Sequence, residues 1–194
     1  MIRLAFLASN YGSGMRVVVA AIEAGTLDAE AVLAVSNRTQ APALVFARDR
    51  GISTAVIPTL SDPTAADSRL AEVLRSTEVD WVVLSGYLRR LGPKTLSAFE
   101  GRILNVHPAL LPKFGGEGMY GRRVHEAVIA ADERVSGASV HMVDEVYDRG
   151  PVLARAETPV MVDDTAAGLE TRVMALEGPL LVDVLQRIAK GDLP

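Results

Sequence analysis

The stretch Ile103–Lys113 reads ILNVHPALLPK. It opens as a strand: Ile103, Leu104 and Val106 are apolar, and Asn105 and His107 stand at alternate positions. Residues two apart on a strand project from one face, so an amide and an imidazole point the same way at its end. Pro108 has no N–H to donate and stops regular pairing. Ala109–Leu111 and Pro112 continue as an apolar loop. Polar side chains converging where a strand stops is how sites are built on open α/β sheets. Taken alone, Asn-x-His at a strand end reads first as a satisfied edge with a structural histidine.

Working outward, the preceding elements alternate. Strands are expected at Ile2–Ala8, Ala29–Ser36, Ser53–Ile57 and Asp80–Ser85, and helices at Met15–Glu23, Gln40–Arg50 and Ala65–Ser76. The fourth strand, DWVVLS, has almost no polar interruption, which suits a parallel strand covered on both faces. Gly86–Leu91 reads as a loop and Pro93–Phe99 as a short helix. After the opening stretch come a glycine-rich loop at Lys113–Gly121 and a helix at Arg122–Ala131. Strands follow at Ser139–Val143 and Pro151–Pro159, with an acidic turn, DEVYDRG, at Asp144–Gly150 between them. Asp164 is expected to start a last long helix running to about Lys190. The pattern predicts an α/β fold: a Rossmann-like, open, mostly parallel twisted sheet with helices on both faces and an antiparallel strand near the C-terminus. With no repeat, low-complexity tract or linker, residues 1–194 read as a single domain.

Bulk properties exclude several function classes. The chain is 49% hydrophobic with a net charge of −4, so it is neither disordered nor shaped for nucleic acid. It has no Cys, which removes disulfides, thiol nucleophiles and thiolate metal sites. The N-terminal apolar run is too short for a secretion signal or a membrane span. The expectation is a cytoplasmic protein with small-molecule substrates, no nucleic-acid or membrane partner, and a monomeric or homodimeric state.

The Ser9–Gly14 loop, SNYGSG, falls between the first strand and the first helix. Such a turn offers free N–H groups and a positive helix end to an anion. It is neither G-x-G-x-x-G nor a Walker A sequence, so a phosphate fits it better than a dinucleotide. No G-x-S-x-G is present. The acidic turn lacks the oxygen spacing of a calcium loop. His141, on the following strand, reads as structural, and His125, beside Arg122 and Arg123, as a solvated rim residue. The set weighs more than its members. Asn105 and His107 share a strand face, and Asp148 can approach from a later turn. An amide and an imidazolium can both stabilise an oxyanion, and a carboxylate beside the imidazole favours its charged form. That combination suits acyl transfer to an amine, with no covalent residue on the enzyme.

These residues lie in segments that resemble the phosphoribosylglycinamide formyltransferases, within the folate-dependent formyltransferase family. The resemblance rests on Leu7–Ser13, VSN at Val35–Asn37, VVLSGYLRRL at Val82–Leu91, ILNVHPALLPKFGG at Ile103–Gly116 and SVHMVDEVYDRGPVL at Ser139–Leu153. It implies a formyl group passed from 10-formyltetrahydrofolate, a cosubstrate, to the amine of glycinamide ribonucleotide in purine synthesis, with no metal. By that resemblance Asn105 and His107 hold the oxyanion, and Asp148 orients and charges His107. Tyr11, Gly12 and Ser13 bind the substrate phosphate, and Glu177 contacts the acceptor. Leu88, Arg89, Arg90 and Leu91, with Asp144, Glu145, Val146 and Tyr147, line the folate pocket, and Leu111–Pro112 is cis. The chain departs from the family pattern at Asn10, Tyr11 and Gly14, at Ala65–Ala66, and in the Gly115–Tyr120 loop. Two alternatives stand beside this reading: a formyltransferase for another amine, such as an amino-sugar nucleotide, and a non-catalytic nucleotide-binding module.

Overall fold

Seven strands form one sheet in the order β3-β2-β1-β4-β5-β6-β7. The structure is a computed structural model and describes residues 1–193. The parallel strands are β1 (Ile2–Leu7), β2 (Ala29–Ser36), β3 (Ser53–Val56), β4 (Trp81–Leu84) and β5 (Ile103–His107). The helices between them are α1 (Ser13–Glu23), α2 (Pro42–Arg48), α3 (Pro63–Ser76) and α4 (Pro93–Ala98). Then follow α5 (Arg122–Ala130), β6 (Val135–Met142), β7 (Val152–Pro159) and α6 (Ala166–Lys190). β6 runs antiparallel to β5, and β7 antiparallel to β6.

The unbroken apolar strands serve two cores. Leu4 and Phe6 of β1 and Val83 of β4 pack with α1, α2 and α6 on one face. Ala5, Leu7 and Val82 turn the other way onto α3 and α4. This is the two-sided burial that an uninterrupted run such as DWVVLS requires. Each fully buried Leu, Val or Phe contributes roughly 1.5–3 kcal/mol. The residues of β5 divide the same way. Leu104 joins the α1/α6 core and Ile103 the α3/α4 core. Asn105 and His107, in phase with Ile103, therefore face the α3/α4 side.

The sheet reverses direction of winding between β1 and β4, and the loops after these strands are laced together there. Ser9 N–H donates to the Gly86 carbonyl at 3.1 Å, Leu88 N–H to Ser9 Oγ at 2.8 Å, and Met15 N–H to the buried Ser85 Oγ at 2.9 Å. Ligand sites of open α/β sheets sit at this kind of crossover.

Several boundaries differ from the sequence reading, most by a residue or two, and two of the differences have a clear local cause. β6 starts at Val135, four residues earlier than the expected Ser139. Ser136 and Gly137 look like turn residues, but a Cβ on Gly137 would overlap the Ala156 carbonyl oxygen of β7. The glycine is there for close strand approach. The last helix starts at Ala166, capped by Thr165 Oγ1, which accepts from Gly168 N–H at 3.1 Å. Asp164 precedes the helix and binds Arg172 and Met161 N–H instead, which holds its carboxyl near pKa 2. Replacing Gly137 by Ala is expected to lower stability by about 3 kcal/mol or more, read as a drop in urea midpoint at unchanged m-value.

Candidate active site

The β5–β6 register builds the site. Asn105 pairs with His141, and His107 pairs with Ser139. Ser139 Oγ donates to the Ala109 carbonyl at 2.7 Å and accepts from Leu111 N–H at 3.0 Å, so it staples the apolar loop after His107. Arg155 of β7 holds the Leu111 carbonyl from outside at 2.9 Å. The Leu111–Pro112 bond within this loop is cis.

Four side chains then meet. Asp148 Oδ2 lies 3.5 Å from His107 Nδ1, and its Oδ1 lies 3.4 Å from His141 Nε2. Asn105 Nδ2 is 3.1 Å from the same His141 nitrogen. Asp148 adopts φ +55°, in the left-handed region, and Gly116 N–H donates to its Oδ2 at 2.9 Å. His107 Nε2 faces the Phe114 carbonyl at 2.8 Å, and His141 Nδ1 faces the Met142 carbonyl at 2.8 Å. A carbonyl only accepts, so both of those nitrogens carry protons. That fixes the free chemistry. His107 offers Nδ1 toward Asp148. His141 offers Nε2, which donates to Asp148 when protonated and accepts from Asn105 when not.

Burial and charge compete here. Burial pushes the His107 pKa down, and this outweighs the upward pull of Asp148 and of the Phe114 carbonyl. Asp148 favours the charged imidazole, as the sequence reading expects, but desolvation is the larger effect and the net shift is downward. For Asp148 itself, burial raises the pKa, but His141, His107 and the Gly116 N–H together overcome it and keep the carboxyl below its ordinary range.

A cleft of about 420 Å³ opens between α3, α4 and the loops after β3 and β4, and Glu145 of the loop that carries Asp148 reaches its wall. Arg90, Leu91 and Glu145 line it, together with Tyr87, Leu70 and Leu96. Apolar walls with few polar groups at this volume suit a flat heterocycle. Of the eight residues expected around a folate, these first three border the cleft. Leu88, Val146 and Tyr147 are exposed on its flanking loops, as is Asp144, while Arg89 is half-buried.

Across the sheet crossover, Gly12 in the left-handed conformation opens α1. With Met15 N–H taken by Ser85, the Ser13 and Gly14 amides have no acceptor among the described residues. Asn10, the departure from the family pattern, holds the Arg38 guanidinium through Oδ1 at 2.8 Å. Tyr11 is 70% exposed and closes nothing. α6 runs beside α1 in the same direction, with Gly178 against Val17 and Gln186 on the Thr26 carbonyl. Glu177 thus lies beside the first turns of α1. Burial, then the charge of Glu170, raises its pKa to about 7.

One histidine contradicts the sequence reading, and another is placed by the strand register. His141 is buried and joins the cluster. Its position opposite Asn105 needed the strand register, which no spacing reveals. His125 is no rim residue: it is 1% exposed, on the face of α5 that carries Val124 and Val128. No group of three or more His, Asp or Glu side chains is arranged to hold a metal ion among the described residues. No helix among them is long and apolar enough to cross a membrane.

The chain belongs to the formyl transferase family, whose family model matches residues 2–185. It is 40% identical over 190 residues to the chloroplastic phosphoribosylglycinamide formyltransferase of Vigna unguiculata, covering 97% of this chain and 61% of that protein. It spans 65% of the Arabidopsis thaliana counterpart. The phosphoribosylglycinamide formyltransferase of Haemophilus influenzae is 32% identical, with 100% of this chain and 90% of that one covered. Among solved structures, glycinamide ribonucleotide transformylase 1 from Symbiobacterium toebii superposes with a TM-score of 0.90 at 32% identity, covering 98% of this chain and 89% of that one.

The raised Glu177 pKa gives a stability test. The folded state favours the protonated carboxyl, so that stability is present below pH 4.5 and is lost as pH rises through about 7. Glu177→Gln is expected to match the wild type in chemical denaturation at pH 4. Above pH 7 it is expected to exceed it by up to roughly 3 kcal/mol.

Proposed function

We propose that this protein, acting as one formyltransferase domain over residues 1–194, moves a formyl group from 10-formyltetrahydrofolate to the amine of glycinamide ribonucleotide, a step of purine synthesis. The observation that carries the reading is the buried Asn105, His107 and Asp148 cluster at the end of β5, in a chain of the formyl transferase family. The names of the relatives supply the acceptor.

In this reading the folate ring fills the cleft lined by Arg90, Leu91 and Glu145, with its formyl carbon at Asn105 and His107. The acceptor phosphate lies on the Tyr11–Ser13 loop. Arg38 adds charge there, and Glu177 takes a polar group of the acceptor. The amine nitrogen bonds to the formyl carbon, and the carbonyl π pair moves onto oxygen. The Asn105 amide nitrogen carries two N–H groups, so it can donate to that oxyanion while also bonded to His141. The surplus amine proton passes to His107 Nδ1, since Nε2–H stays on the Phe114 carbonyl. The resulting imidazolium faces the ionised Asp148 and the oxyanion. When the intermediate collapses, the carbon–N10 bond breaks and the proton goes to N10, leaving formylated acceptor and tetrahydrofolate. A base must be neutral at rest, and the lowered His107 pKa meets that need.

A second acceptor class enters through Tyr11. Its exposure leaves the phosphate loop open to a larger group, such as an amino-sugar nucleotide.

The test is an acceptor panel, followed by folate absorbance, with 10-formyltetrahydrofolate against glycinamide ribonucleotide and several amino-sugar nucleotides. Turnover with the first is expected; none with any acceptor would favour a non-catalytic nucleotide-binding module. His107→Ala and Asp148→Ala are each expected to lower kcat by about 10²–10⁴-fold with unchanged folding. Because Asp148 raises the His107 pKa, residual activity of Asp148→Asn should lose its acid limb at lower pH than wild type. Wild-type rates from these variants would remove the mechanism. Arg38→Ala should raise the acceptor KM about tenfold while leaving the donor KM alone, if the guanidinium meets a phosphate.

A further inference from the structure

The loop of residues 143–151 joins β6 to β7 and carries Asp148. Its ends are fixed: Met142 N–H donates to the Pro151 carbonyl, and Val143 N–H to the Ile103 carbonyl, both at 2.9 Å. Its tip, Glu145-Val146-Tyr147, faces outward, with Val146 58% and Tyr147 44% exposed. Two bonds inside the loop shape that tip. Val146 N–H donates to Asp144 Oδ1 at 2.8 Å, and Arg149 N–H to the Val146 carbonyl at 3.3 Å.

From outside the loop, a single side chain hydrogen-bonds the tip among the described residues. Arg90 Nη2 donates to the Glu145 carbonyl at 2.8 Å. The same guanidinium lies 5.6 Å from the centre of the Tyr147 ring, within cation–π reach. Arg90 has no carboxylate partner among the described residues, so nothing else fixes its direction. Arg90 and Glu145 also form part of the cleft wall.

Asp148 follows the tip directly and holds a left-handed backbone conformation that a non-glycine residue keeps only when its surroundings enforce it. Gly116 N–H supplies one constraint, on the carboxylate. His107 and His141 flank the same carboxylate at 3.5 and 3.4 Å, and the backbone itself is held only through the loop.

We propose that Arg90 is a positioning residue for Asp148: by clamping the Glu145–Tyr147 tip across the cleft, it sets where the next carboxylate meets His107 and ties donor binding to that geometry. An arginine suits this, because its planar fork can hold a carbonyl and lie against a ring together. The kinetic half of the proposal rests on the formyl-transfer reading; the structural half does not.

The experiment therefore has two arms on the full chain, with Arg90→Ala and Arg90→Lys. In the first, amide hydrogen exchange without substrates is expected to speed up about tenfold at residues 145–149 in Arg90→Ala, with β1 and β4 unchanged, and by less in Arg90→Lys, which keeps one donor. In the second, Arg90→Ala should raise the donor KM about tenfold and lower kcat about tenfold, with the acid limb of kcat moved to lower pH. Arg90→Lys should recover part of each. Unchanged exchange at 145–149 overturns the clamp. Faster exchange with an unmoved acid limb overturns its link to Asp148. A wild-type protein with no formyl transfer would sink the functional reading alone, and the exchange arm would still decide the clamp.

Discussion

The antiparallel pairing of β5 with β6 is the constraint on which the site depends. It sets Asn105 opposite His141 and His107 opposite Ser139, and the Asp148 loop follows from the end of the same strand. A slip of one residue would turn each of these side chains to the other face. The register is fixed from both directions. Leu104 and Val140 lie in the α1/α6 core, and Ile103 lies in the α3/α4 core. Ser139 then spends both of its hydrogen-bonding roles on the loop after His107. Packing that holds the sheet together is thus the same packing that aims the polar groups.

Desolvation decides the charge state of that group. Four polar side chains share a small buried volume, yet Asp148 keeps a lowered pKa, because His141, His107 and the Gly116 N–H together outweigh its burial. Burial pulls the His107 pKa down, and the Asp148 carboxylate beside it pulls part of the way back up. Glu177, away from any donor of comparable strength, goes the other way and holds its proton. Three titratable groups around one crossover are thereby pushed in different directions by their surroundings, which is a property of functional sites more than of frameworks.

Much of this was legible in the sequence. Alternating apolar runs and turn residues gave the five parallel strands within a residue or so of their bounds, because burial on both faces leaves strands almost free of polar residues. Asn105, His107 and Asp148 were readable as a set through the strand period and the family resemblance. Other features were hidden for definite reasons. The start of β6 before Ser139 was hidden because sequence does not show the closeness of a neighbouring backbone to Gly137. His141 reads only as structural in the sequence because its meaning lies in the cross-strand partner. His125 was placed outside because flanking arginines dominate its local composition, while the helix face that buries it is set by packing on α6. The upward pull of Asp148 on His107 was readable, but the larger cost of burying the charge depends on surroundings that only the folded chain supplies.

α6 carries Leu181, Val184, Leu185 and Ile188 into the core beneath β1 and β4, and Glu177 lies on the same helix. Among the described elements it is the last to leave the ribosome. A nascent chain can pair its first strands and still present one bare apolar face of the sheet until that final helix arrives. Glu177 is therefore set beside α1 by the same event that closes the core, so an incompletely synthesised chain exposes sticky surface and lacks that buried carboxyl together.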